Sequence, residues 1–212
     1  TLRSSSAASD VYKRQAGEFQ FPKLNAFSGS AHCIHTAFIP SYREVAGDDF
    51  VIIGGYESGI DAAYHLALRG KKVRIFDEGS PWTAQTSDPS VALSTYTMQR
   101  MRDPRFVKQV ELIPNTSITE VQEQGGVFKV ITTDGHAVET SVAPLLAGGF
   151  VGGFQSVSHF FESREDGFPV INEQDESTIT PGLFISGPAI RHENHVFCFI
   201  YKYRQRFAVV AK

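Results

Sequence analysis

The run Val51-Ile52-Ile53-Gly54-Gly55 narrows what this chain can fold into more than any other stretch. An apolar strand that runs straight into glycine must turn sharply there. The residues that follow, Glu57 to Arg69, carry Ile60, Ala63, Tyr64 and Ala67 on one helical face. Gly70 stands where such a helix closes, and Val73 to Phe76 is a second apolar strand ending on Asp77-Glu78. Strand, glycine turn, helix, strand is a βαβ unit, and its crossover is right-handed in nearly all proteins. The expected class is therefore α/β with a parallel, Rossmann-like sheet.

A helix that opens just after a glycine turn presents unpaired backbone N–H groups and a partial positive charge. A pyrophosphate can sit there if the backbone is accessible. Gly54 is read as the tight turn and Gly59 as the residue that lets the helix pack closely on the sheet. Gly55, Tyr56, Glu57 and Ser58 lie between them, around the phosphates. Asp77 follows about 20 residues later, where an acid accepts hydrogen bonds from a ribose 2′-OH. Tyr56 occupies the place of the second glycine of the dinucleotide fingerprint. Either Gly55 takes over the close approach, or nucleotide binding is weakened, or the Tyr56 ring lies over the nucleotide. An acid repels a 2′-phosphate, and Lys71, Lys72 and Arg74 precede it or lie within the strand, so NADH is favoured over NADPH. The plainer alternative is a βαβ unit whose glycines serve packing, with Asp77-Glu78 as a solvated strand end.

Beyond this unit, a polar loop with Pro81 and Pro89 leads to a helix near Thr95 to Val107, broken around Pro104. The stretch from Asp88 to Thr97, with Trp82, reads as a surface loop and helix cap or as a substrate-side loop. Ser117 to Gln122, Val127 to Thr132 and Ala137 to Ser141, separated by Gly125-Gly126 and Asp134-Gly135, form a three-stranded β-meander. Pro144 to Ala147, Phe168 to Ile171 and Leu183 to Ser186 read as further strands, and Asn194 to Lys212 as an apolar-faced helix. Lys and Arg total 20 against 23 Asp and Glu, a formal charge of −3, which leaves no basic excess to seek a nucleic acid. No apolar run is long enough to span a bilayer and no signal segment opens the chain. Cys33 and Cys198 form no CxxC, so a disulfide scaffold is excluded and a reducing, cytoplasmic setting is expected. Thr1 to Gln15 resembles translated adapter sequence from assembled environmental DNA, and the native protein is expected to begin upstream of it.

On these residues the chain resembles the pyridine nucleotide–disulfide oxidoreductase superfamily, with its flavin monooxygenase-like and thioredoxin-reductase-like members. In that fold an NAD(P)H domain is inserted into an FAD domain. The resemblance implies an FAD-domain remnant and crossing segment at 16–47, an NAD(P)H domain at 48–144 and the C-terminal part of the FAD domain at 145–212. Ala16-Gly17-Glu18-Phe19 resembles the end of the first crossing motif. Leu145 to Phe150 resembles the second, with Gly148 in place of threonine and Gly149 beside it. Thr180 to Gly187 resembles the second FAD-contacting strand, where Pro188 replaces the family's aspartate. His192 and His195 then fall at the start of a helix beside the flavin, as proton donor, substrate anchor or helix cap. A metal reading of these two histidines, or of His32-Cys33-Ile34-His35, lacks further ligands, and Cys198 reads as a buried thiol. The implied reaction is hydride transfer from NAD(P)H to FAD, then to an acceptor. No acceptor, partner or oligomeric state is legible in these residues. The rival is a dinucleotide-binding sensor without turnover.

Overall fold

In the computed structural model the described residues are 21–211 except 87, 89, 90, 194 and 198. The adapter-like segment, the Ala16–Phe19 motif and Cys198 therefore lie outside them. The chain divides into two compact units, one spanning 22–150 and the other built from the described residues 21 and 151–211. Two-residue strands β1 (Phe21–Pro22) and β10 (Phe150–Val151) mark where the chain passes between them.

The larger unit is organised by strand alternation. Strand β3 (Asp49–Ile53) sends Phe50 and Ile52 to one face and Val51 and Ile53 to the other, and all four are buried. A strand apolar on both faces belongs in a sheet covered on both sides. The sheet is parallel and five-stranded, in the order β2 (Ile34–His35), β9 (Leu145–Leu146), β3, β4 (Lys72–Phe76) and β5 (Val110–Ile113). Helices α1 (Glu57–Ala67), α2 (Thr95–Met101) and α3 (Pro104–Gln109) contribute Ile60, Leu66, Phe106 and Met98 to the core on the Phe50 face. Strands β6 (Ile118–Gln124), β7 (Val127–Thr132) and β8 (Ala137–Thr140) make an antiparallel sheet whose Ile118, Val121 and Val130 pack on the Val51 face.

Helix α1 closes in a Schellman arrangement. Gly70 takes a φ of 73°, its N–H reaches the Ala67 carbonyl at 2.9 Å, and the Lys71 N–H reaches that of Leu66 at 3.2 Å. Ser94 caps α2 by accepting from the Thr97 N–H, and Asp103 caps α3, with Pro104 as its first residue. Strand β5 is absent from the sequence reading. It follows a six-residue helix with no intervening turn signal and stops at Pro114, too short to show a period.

The smaller unit departs most from expectation. Phe168 to Ile171 and Leu183 to Ser186 are not strands: 163–185 is irregular chain held by isolated bridges Ser163–Pro169, Ile171–Ser177 and Glu176–Phe184. Pro169, Pro181 and Gly182 interrupt any ladder, yet Phe168, Ile171, Leu183 and Ile185 still pack against buried Phe154, Phe161 and Ala189. The expected C-terminal helix starts later, at Ile200, and runs to Val210 with a 3-10 turn, Arg204–Arg206, within it. Strands β11 (Arg191–His192) and β12 (His195–Val196) pair antiparallel, so His192 and His195 face each other across a turn and start no helix. Helical turns follow at α4 (Ile200–Tyr203) and α5 (Phe207–Val210). Among the described residues no helix is long and apolar enough to cross a membrane.

Phe50, wholly buried in the sheet, is expected to cost about 3–5 kcal/mol when cut to alanine. Val127, 42% exposed, is expected to stay within about 0.5 kcal/mol on the same change. Urea unfolding of both variants checks the assignment of the core.

Candidate functional site

The strand order places β9 on one side of β3 and β4 on the other. Chain direction therefore switches sides at the carboxyl end of β3, the position where open α/β sheets bind ligands. Gly54 sits there with a φ of 102°, donating its N–H to the Phe76 carbonyl at 2.9 Å. A side chain at Gly54 would come within 2.6 Å of the Ala147 carbonyl oxygen, and one at Gly59 within 1.9 Å of the Gly54 carbonyl oxygen. Both glycines are thus fixed by close approach, of neighbouring strand and of helix respectively. Ser58 is exposed in the first turn of α1.

Asp77 is no solvated strand end. One carboxylate oxygen accepts the Gly55 N–H at 2.6 Å and the other accepts the Ser80 N–H at 2.6 Å. These charge-assisted bonds tie the acid to the glycine turn. Ser80 is buried, with a φ of 48°, and its hydroxyl accepts the Asn115 N–H at 2.8 Å. It opens a 3-10 turn, Pro81–Thr83, that lays Trp82 on the glycine turn. A side chain at Gly55 would meet the Trp82 ring at 2.0 Å. Gly55 therefore makes its close approach to an indole.

Tyr56 does not stand over the turn unanchored. Its hydroxyl donates to the Ala92 carbonyl at 2.9 Å, and its ring packs on the helix-side core. The Glu57 carboxylate accepts from the Ser94 N–H and hydroxyl and from the Thr97 hydroxyl, so it completes the cap of α2. What Glu57 offers a ligand is its backbone. Asp61 on α1 holds Arg100 on α2, whose guanidinium also lies 4.2 Å from the Tyr96 ring centroid and 4.9 Å from that of Tyr64. The stretch around 92–100 is thereby fastened along α1. As a surface loop with a helix cap it matches the plainer of the two sequence readings, although Leu93 is buried.

Gly148 and Gly149 follow β9 in the same unit. The Gly149 carbonyl accepts from the Lys23 N–H at 3.0 Å and from His35 Nε2 at 2.9 Å. His35 is 1% exposed, and its Nδ1 accepts the Ala37 N–H, which fixes a neutral ring protonated on Nε2. Both ring nitrogens are used, and neither is free to ligate a metal. Beside it, burial pushes the Cys33 thiol up to about 12, away from nucleophilic chemistry. Among the described residues no cluster of three or more His, Cys, Asp and Glu is placed to hold a metal ion.

In the smaller unit Gly187 has a φ of 124° and open space where a side chain would stand, as a close backbone approach to a ligand requires. The carbonyl of Pro188 accepts from Arg191. His192 Nε2 lies 2.7 Å from a carboxylate oxygen of Asp175, which is fully buried. Arg206 binds both oxygens of Asp175, at 2.6 and 2.9 Å. Sequence reading missed Asp175, Arg206 and Ser80, because partners 17 to 35 residues away carry no local pattern. His195 is exposed on β12.

Comparison with known proteins adds three findings. A family model described as pyridine nucleotide-disulphide oxidoreductase matches residues 15–187. A ferredoxin--NADP reductase from Nocardioides sp. (strain ATCC BAA-499 / JS614) is 27% identical over 116 residues, 54% of this chain and 31% of its own length. Among solved structures, the bacillithiol disulfide reductase Bdr (YpdA) from Bacillus cereus has a TM-score of 0.66 at 19% identity, over 92% of this chain and 58% of that one. A pyridine nucleotide-disulfide family oxidoreductase from Enterococcus faecalis V583 has a TM-score of 0.64 at 13% identity, over 92% of this chain and 46% of its own. The structural likenesses are likenesses of fold, and the chain spans from about a third to under two thirds of the length of these proteins.

Asp77→Asn keeps the shape but replaces one acceptor oxygen by a donor facing a backbone N–H. It is expected to lower stability by about 1–3 kcal/mol without any nucleotide present, measured by urea unfolding. Cys33 is expected to resist iodoacetamide at pH 8 in the native chain and to react in urea, read by peptide mass mapping.

Proposed function

The chain belongs to the pyridine nucleotide-disulphide oxidoreductase family, and from that premise we propose that it carries the NAD(P)H-binding part, and a portion of the FAD-binding part, of a flavoprotein reductase. The observation that carries the reading is Asp77 bonded to Gly55 at the switch point of the sheet, an acid held against a glycine turn that opens a helix. Gly54 and Gly59 fit a dinucleotide through the backbone closeness they permit, and Gly187 fits a flavin through the open space above it. When bound, the two groups would supply the redox chemistry, a hydride passing from nicotinamide to flavin and the electrons onward to an acceptor.

The protein's contribution is position and charge. The N-terminus of α1, with Tyr56, Glu57 and Ser58, would bind the pyrophosphate through backbone N–H groups, next to Gly55, whose own N–H is donated to Asp77. Asp77 keeps lone pairs beyond the two it gives to Gly55 and Ser80, and these would accept the adenosine ribose hydroxyls. Gly187 and Pro188, in the smaller unit, would approach the flavin through backbone. His192, oriented by Asp175, and His195 are the candidates for holding or moving a proton there. Asp77 favours NADH, because a 2′-phosphate would stand against its carboxylate. The likeness to a ferredoxin--NADP reductase argues for NADPH, and the carboxylate outweighs a match over 31% of that protein. A cytoplasmic setting follows from the same chemistry, which needs a reduced nucleotide pool.

One observation favours a second reading, a nucleotide-binding sensor without turnover: Pro188 stands where the family carries its flavin-side aspartate, and its carbonyl is taken by Arg191. The visible spectrum of the complete parent protein with FAD, before and after anaerobic NADH, separates the two. Flavin bands that bleach with NADH are expected. Bleaching with NADPH alone would reverse the assignment of Asp77, and a protein that takes up no flavin would leave the sensor.

A further inference from the structure

We propose that Trp82 gates the nucleotide site: its indole fills the space against Gly55 beside Asp77, and a dinucleotide must displace it to bind. The inference rests on the reading that this turn binds a nucleotide, and adds how entry to it is controlled. The Cβ position at Gly55 lies 2.0 Å from Cζ3 and 2.7 Å from Cη2 of Trp82 and 3.0 Å from Cβ of Asp77. The benzene edge of the indole therefore lies against Gly55, next to the acid that the Gly55 N–H holds, and covers the backbone that a dinucleotide would have to approach.

The other side chains over the turn are fastened. Tyr56 is bonded to Ala92, and Glu57 to Ser94 and Thr97. Trp82 is held by packing alone: it is half-buried against the helix-side core, and no hydrogen bond of its indole is seen among the described residues. The turn that carries it is anchored by Ser80. The Ser80 N–H donates to Asp77, the Ser80 carbonyl accepts the Thr83 N–H and hydroxyl, and the residue sits at a positive φ that favours glycine. A ribose hydroxyl would use the lone pairs of Asp77 beyond those given to Gly55 and Ser80, so what must give way is the packing of the indole and not the Ser80 bond. A site that must open before it binds loses apparent affinity in proportion to the fraction that is open.

The chain contains a single tryptophan, so its fluorescence reports this residue alone. The test pairs calorimetric titration of NADH into the chain, W82A and W82F with acrylamide quenching of the wild-type indole, with and without NAD⁺. For an open fraction near one tenth, W82A binds NADH about tenfold more tightly and W82F gains a smaller factor. NAD⁺ makes the wild-type indole more accessible to acrylamide. Binding by W82A where the wild type shows none supports the gate equally. Binding by the wild type with W82A equal or weaker, or an indole that NAD⁺ shields, overturns the gate and leaves the nucleotide site standing. No binding by any of the three overturns both. If W82A fails to fold by circular dichroism, W82F and the quenching experiment decide.

Discussion

The carboxylate of Asp77 is the constraint on which the carboxyl edge of the parallel sheet depends. It draws together the glycine turn after β3 and the buried Ser80 at the start of the following 3-10 turn. Its own backbone N–H donates to the Ile113 carbonyl and its carbonyl accepts the Thr116 N–H, so the end of β5 is joined to the same residue. Three strand ends are thereby registered by one acid. A neutral residue could fill the volume, but it could not accept at two backbone donors with the strength of a charge-assisted bond.

Much of this was legible in the residues because it is local. The Val51–Gly55 run, the helical spacing after it, Gly70 and the acid at 77 lie within one βαβ unit, and a period needs no partner to be seen. Strand β5 was not legible, since four residues between a short helix and a proline show no period. The Trp82–Gly55 contact and the Glu57–Ser94–Thr97 network join residues 27 to 40 positions apart, and no spacing rule encodes them. In the smaller unit, Phe168 and Leu183 looked like strand residues because they are apolar. They are half-buried among turns, and partial burial without a ladder reads the same in a sequence.

The two units store their polar groups differently. In the larger one, buried donors and acceptors belong chiefly to strands and caps. In the smaller one, a fully buried carboxylate at Asp175 is shared by Arg206 and His192, at a backbone φ of 63°. Such an arrangement is costly to break on one side, because the remaining charge keeps its burial and loses its partner. It gives an otherwise irregular segment a single geometry where strand pairing does not.

The larger unit begins and ends at the same place: the Lys23 N–H donates to the Gly149 carbonyl, and His35, near the entering chain, bonds that carbonyl too. A body whose two ends are fastened together has the shape of a cassette. It can be set into a loop of another domain while disturbing little more than that loop. A joined entry and exit let a module of this kind be accepted by a host that keeps its own core as it was.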